Sequence, residues 1–149
     1  MNLFGLLELS GSALRAERQR AEIVAANMAN AETTRTPEGG PYRRQLAVFH
    51  ALRMRPSFPL TLASLGNESP SSPARGVALQ QVISDSRPPL TRYQPGHPDA
   101  DREGFVAYPA VSPVEEMTDL LGAARAYELN AAAVQAAKQM ITQSLDLLR

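Results

Sequence analysis

The chain contains no cysteine. That excludes a disulfide framework, a thiolate nucleophile and any zinc site built on sulfur. Tryptophan is also absent, and aromatic residues make up only 5% of the 149 positions although 44% are hydrophobic. The apolar content is mostly Ala, Leu and Val, which suits closely packed helices better than a bulky globular core. The length allows one domain, or two modest layers sharing a core. Charge of neither sign is in excess: 15 basic residues face 15 acidic ones and the formal net charge is zero. Nothing in the charge therefore favours a nucleic-acid partner or an anionic membrane. Lys138 is the one lysine, the remaining cations being arginine, which reads as genomic composition bias.

Long hydrophobic runs are missing as well. The N-terminal MNLFGLLELSGSALRAERQR has no basic opening, and Glu8 interrupts its apolar run, so it does not read as a cleavable secretory signal. No uncharged apolar stretch of about 20 residues exists to span a bilayer. Export, if it occurs, is expected to use a route that reads no cleaved signal.

Proline is absent from both flanks; all 12 lie between Pro37 and Pro113. A proline in a helix interior costs about 3 kcal/mol. The flanks are thus free to form long helices and the middle is not. The expected fold is mainly α with a small β-rich middle module, the long N- and C-terminal helices pairing as a coiled-coil-like core. Its three parts are an N-terminal helix over 1–34, a Pro-rich, β-rich module over 35–112 and a C-terminal helix over 113–149.

The C-terminal flank carries the strongest pattern. Met117, Ala124, Ala131, Lys138 and Leu145 recur every seven residues, as do Leu120, Tyr127, Val134, Ile141 and Leu148 three positions on. This is an a/d heptad ladder interrupted only by Lys138. A helix from about Val114 to Leu148 would be about 50 Å long. Pro113 suits its first turn, and Glu115, Glu116 and Asp119 place negative charge at its positive end. Leu121, Ala123, Ala126, Leu129, Ala132, Ala133, Ala136 and Met140 fill the other faces. A helix apolar almost all round is buried on several sides, and a chain this small cannot bury it alone. The N-terminal flank repeats the theme through Leu6, Leu9, Ala13, Ala16, Arg20, Ile23, Asn27 and Asn30, with Leu7, Leu14, Ala21, Val24 and Met28 as a second apolar face. Asn27 and Asn30, at the helix's end, are placed to fix register or cap the chain.

In the middle, YRRQLAVFHALRMR alternates with period two, Leu46, Val48, His50, Leu52 and Met54 forming its apolar face. Further short strands are expected around Val77 to Ile83, Leu90 to Tyr93 and Phe105 to Tyr108, with a Ser/Pro-rich loop from Pro56 to Pro73. His50, on an apolar face, is expected to be packed inside.

The stretch GHPDADREGF, 96–105, is where chemistry would be sought. Counting Asp99 as position 1 of a calcium loop, Asp101, Glu103 and Gly104 fit positions 3, 5 and 6. Position 12 is then Ala110, where a bidentate Glu belongs, and Pro95, Pro98 and Pro109 rule out the flanking helices. A metal- or calcium-binding module or enzyme centred on 97–103 is the alternative reading. The favoured one is a turn, with Asp side chains bonded to their own backbone and Gly supplying a positive φ. No G-x-S-x-G, Walker or dinucleotide glycine motif occurs, and the Arg43, Arg44, Arg53, Arg55 strand lacks the aromatic platforms of an RNA binder. No catalytic residue, cofactor, metal or small-molecule substrate is expected.

Three segments, AANMANAETTRTPEGGPYRR, HPDADREGFVAYP and VEEMTDLLGAARAYELNAAAVQAAKQM, together resemble the bacterial flagellar basal-body rod proteins of the axial family, in particular the proximal-rod type. The resemblance spans nearly the whole chain in the right order. It departs at Pro113, where the family tends to carry an apolar residue, and in the Ser/Pro loop. What it implies is a non-enzymatic subunit exported by the flagellar type III apparatus and polymerised helically into the drive shaft that crosses the periplasm. The terminal helices would pair and line the tube, with the middle module facing outward. The implied partners are copies of the chain, other rod subunits, the rod base or MS-ring adaptor and the export apparatus. The residues expected at subunit contacts are Leu6, Leu9, Ile23, Asn27 and Asn30 with the ten ladder positions named above.

Overall fold

The computed structural model describes residues 3–53 and 74–146. Met54, the expected loop over 56–73 and Leu148 lie outside the described residues. Helix α1 spans Leu3–Ala29, strands β1 and β2 span Gln45–Arg53 and Ala74–Ser84, β3 and β4 span Leu90–Tyr93 and Phe105–Tyr108, and helix α2 spans Pro113–Asp146. Two long helices and a few small antiparallel strands make up the fold.

Helix α1 ends earlier than the boundary at 34. Its last turn is closed by Asn30, whose Nδ2 donates to the Ala26 carbonyl at 2.9 Å and whose Oδ1 accepts the Thr33 hydroxyl. The chain then loops back, Tyr42 N donating to Thr33 O at 3.0 Å, with Gly39 and Gly40 taking the positive φ that this turn needs. Helix α2 starts after Ser112, whose hydroxyl lies 3.5 Å from Glu115 N, with Pro113 in the first turn. It runs antiparallel to α1: Asn27 meets Glu116, Arg20 meets Asp119, and Glu17 and Ala21 share a hollow with Ala123 and Tyr127.

The strands form two separate two-stranded antiparallel sheets, β1 with β2 and β3 with β4. The β1–β2 register shifts between Val48 and Phe49 and between Leu52 and Arg53, so Gln80 and Arg75 are extra residues in β2. The ribbon lies against α1. Ser12 fixes it there, its hydroxyl donating to Leu9 O at 2.7 Å and accepting from Val77 N at 3.1 Å. Gly76 makes that approach possible, since a Cβ on it would sit 2.5 Å from Ser12 Oγ.

The first half of β1, Gln45 to Phe49, is half-buried beneath α1, whereas His50, Ala51 and Leu52 are exposed. The expectation that His50 packs inside is therefore corrected: at its level α1 meets the partner strand, where Ser12 accepts from Val77 N, and β1 is left open. After β2, Asp85 folds the chain by accepting from Arg87 N and Nε, and these bonds hold its carboxyl below the usual carboxylate range. Among the described residues the buried apolar side chains are Ala16, Val24, Val106, Tyr108, Val111, Ala123 and Ala137. They are small or few.

Candidate assembly surface

Two of the three largest fully buried side chains among the described residues are polar. Asn27 is 1% exposed and Glu116 0%. Asn27 makes a two-point bridge to the first residue of β1: its Nδ2 donates to Gln45 O at 2.9 Å and its Oδ1 accepts from Gln45 N at 2.8 Å. A side-chain amide thus takes the place of a neighbouring strand. The same Oδ1 accepts the Tyr42 hydroxyl at 3.0 Å, and the same Nδ2 donates to Glu116 Oε2 at 3.1 Å. The other oxygen of Glu116 accepts Arg44 Nε. Arg44 also approaches Asp119 at 3.4 Å, and Asp119 in turn lies 3.6 Å from Arg20. Burial, and secondarily the Glu116 carboxylate, push the Tyr42 hydroxyl above its ordinary pKa. The end of α1, the start of β1 and the start of α2 are joined here by a connected set of charge-assisted bonds.

The face that α2 turns towards α1 differs from the heptad ladder. Glu116, Ala123 and Ala137 are its buried residues, and with Asn130 they form a row at seven-residue spacing, one position before the expected a row. Leu120, Val134 and Ile141 of the d row flank this seam and are half-buried, while Tyr127 is exposed. In the a row Met117 is 58% exposed, Leu145 61%, and Ala124 and Lys138 are exposed, with Ala131 half-buried. Leu121 is exposed too, and Leu129 is 72% exposed. In α1, Leu6 and Ile23 are half-buried, Leu9 is exposed and Asn30 is half-buried at the cap. Asn27 is spent wholly inside its own chain.

Magnitudes show what this arrangement leaves undone. A buried alanine methyl is worth about 0.8 kcal/mol, and a fully buried Leu or Met about 1.5–3 kcal/mol. The chain's own seam is centred on Ala123 and Ala137 with Leu120, Val134 and Ile141 half-buried beside them, while Met117, Leu121, Leu129 and Leu145 remain exposed. Such a run of large side chains along one helix is more than scattered surface apolarity.

Sequence reasoning missed Glu116, Arg44, Tyr42 and Ser12 as structural centres. A repeat at seven was present in Glu116, Ala123, Asn130 and Ala137, but small and polar residues do not register as a hydrophobic stripe.

The acid-rich loop joins β3 to β4. Asp101 Oδ1 accepts from Glu103 N at 3.0 Å and Phe105 N at 2.7 Å, and Gly104 has a φ of 85°. Asp99 does something else: it accepts the Thr34 hydroxyl at 2.8 Å and lies 3.8 Å from Arg35, tying the loop to the segment after α1. His97 Nδ1 accepts from Asp99 N at 3.1 Å. The side chains at 97, 99 and 101 are thus engaged with their own chain, and among the described residues no group of three or more His, Asp or Glu is arranged to hold a metal ion. Nor is any described helix long and apolar enough to cross a membrane.

Comparison with known proteins gives this geometry its context. Residues 7–35 match the family model for flagella basal body rod proteins, and residues 102–147 match that for the C-terminal region of the flagellar basal body rod FlgEFG proteins. The matched regions contain most of α1 and of α2, so the class is that of the flagellar rod. Across its full length the chain is 36% identical to the flagellar basal-body rod protein FlgC of Borreliella burgdorferi, covering 100% of this chain and 99% of that one. It is also 36% identical to the FlgC of Bacillus subtilis, over 99% of both chains, and 33% identical to that of Escherichia coli O6:H1, over 99% and 98%. The chain belongs to the FlgC family of flagellar basal-body rod proteins.

Proposed function

We propose that the chain is a structural subunit of the basal-body rod that polymerises helically through its terminal helices into part of the proximal, torque-transmitting shaft. The observation that carries this is the exposed apolar side of α2: its own chain covers a seam centred on Glu116, Ala123 and Ala137, while Met117, Leu121, Leu129 and Leu145 face out. A surface of that kind is covered by other protein, and heterologous, non-closing contacts are the kind that build filaments. Copies of the chain and other rod subunits are the proposed occupants. The rod base or MS-ring adaptor and the export apparatus are further proposed partners, with delivery to the periplasmic rod without a cleaved signal. In this reading α1 and α2 form a coiled-coil-like axial unit, and the segment between them is the outward-facing module. Met117, Leu120, Ala124, Tyr127, Ala131, Val134, Lys138, Ile141, Leu145 and Leu148, with Leu6, Leu9 and Ile23, are the proposed contact positions. Leu121 and Leu129 join them on grounds of exposure. The loop at 96–105 supports no second reading, because its side chains serve the chain's own turn and its tie to Thr34.

The test is a charge on the exposed face. Leu121→Asp and Leu129→Asp are expected to leave the isolated chain's unfolding free energy within about 0.5 kcal/mol of the parent, while abolishing rod assembly and swimming. Normal swimming by both variants would remove the claim that this face is covered.

A further inference from the structure

Helix α2 poses a problem of choice. It is apolar on several faces, and the face carrying Met117, Leu121 and Leu129 rivals the one α1 meets, which Leu120, Val134 and Ile141 flank. Something other than apolar burial selects the seam.

We infer that the buried node of Asn27, Arg44 and Glu116 selects which face of α2, and which axial register, the chain keeps for itself. Glu116 is the one charged residue in its buried row, and both its oxygens are bonded, one to Asn27 and one to Arg44. Those partners exist at one place only, where the end of α1 meets the start of β1. Rotating α2 by one residue, about 100°, would bring the Met117 row to α1 and carry Glu116 away from both. Sliding α2 by one heptad, about 10 Å, would put Ala123 where Glu116 sits. Either change breaks the Asn27–Glu116 and Arg44–Glu116 bonds and sets an apolar side chain against an amide and a guanidinium, whereas apolar contacts would tolerate it. A buried polar group that fixes register at the expense of raw stability is the best-attested use of such groups. Resting on the rod reading above, the consequence is that the larger apolar face is held in reserve for neighbouring subunits.

The native absence of cysteine makes the test direct. Ala21→Cys with Ala123→Cys reports the observed seam, since both residues line one hollow between the helices. Ala21→Cys with Leu121→Cys reports the opposite face. In the full-length monomer the first pair is expected to oxidise to an intramolecular disulfide and the second to do so at least tenfold less. Replacing the node by apolar side chains (Asn27→Leu, Arg44→Met, Glu116→Leu) is expected to keep helical circular dichroism and raise the second cross-link at least tenfold. Arg44→Ala alone, which removes the cation that answers Glu116 and leaves it only Asn27, is expected to shift the balance the same way. It decides the matter should the triple variant lose its helix signal. Retention of the parent cross-linking pattern in Arg44→Ala, or in a helical triple variant, overturns the inference. Because cross-linking is read within one chain, that failure would leave the swimming and assembly results of the exposed-face variants untouched.

Discussion

The two sides of α2 are built on opposite principles. Facing α1, it presents Glu116, Ala123, Asn130 and Ala137, residues that gain little from leaving water but that fit closely or bond specifically. Facing away, it presents Met117, Leu121, Leu129 and Leu145, which would gain far more from burial and are not buried. The intrachain seam is centred on close fit and specific bonds, and the largest exposed apolar side chains of the helix lie outside it.

The contrast can be broken most severely at the node. Asn27→Leu strands the Gln45 backbone pair, the Tyr42 hydroxyl and one oxygen of Glu116. A loss of about 3–5 kcal/mol is expected in urea denaturation of the isolated chain, the range for breaking a buried charged network by removing one partner. The seam between ribbon and helix is the next target. Gly76→Ala would force a Cβ to 2.5 Å from Ser12 Oγ, and an overpacking cost of about 1–3 kcal/mol is expected in the same assay.

Asp101→Ala acts outside the helices. Losing its two backbone bonds in the β3–β4 loop should cost about 1 kcal/mol. Parent and variant alike should give no heat on calorimetric titration with calcium or zinc. The alkaline limb offers a smaller effect. Tyr42 has a folded pKa above its unfolded value near 10, so its contribution is intact below that value and is lost as pH rises through the raised folded one. Tyr42→Phe should therefore flatten the fall in melting temperature above about pH 10. The smallest effect is expected on the outward side, where Leu145→Asp should move the monomer's stability by no more than about 0.5 kcal/mol. A large loss there would mean that this side is already covered within the chain.

Much of this fold was legible because its signals are local. Proline placement separated flanks from middle, alternation located β1, and the extents of β3 and β4 followed from Leu90 to Tyr93 and Phe105 to Tyr108. The turn at Asp101 and Gly104 could be read from the chemistry of Asp and Gly. What escaped was relational. Hydropathy identified α2 but ranked its faces by size, so Leu and Met drew attention to the row that α1 does not occupy. Nothing in the spacing of Asn27, Arg44 and Glu116 connects them; only folding brings together residues 89 positions apart. Asp99 was legible as a turn residue, yet its partner is Thr34, 65 positions away. His50 shows the limit of alternation, which locates a strand but does not say where its cover ends.

Electron cryomicroscopy of basal bodies purified from the bacterium that encodes this chain tests the central claim most directly. The chain's density is expected in the proximal rod, with Met117, Leu121 and Leu129 packed against adjacent subunits and Glu116 still bonded to Asn27 and Arg44 of its own chain. Finding α2's Leu121–Leu129 side open to solvent in the assembled rod, or the chain absent from the rod, would contradict it.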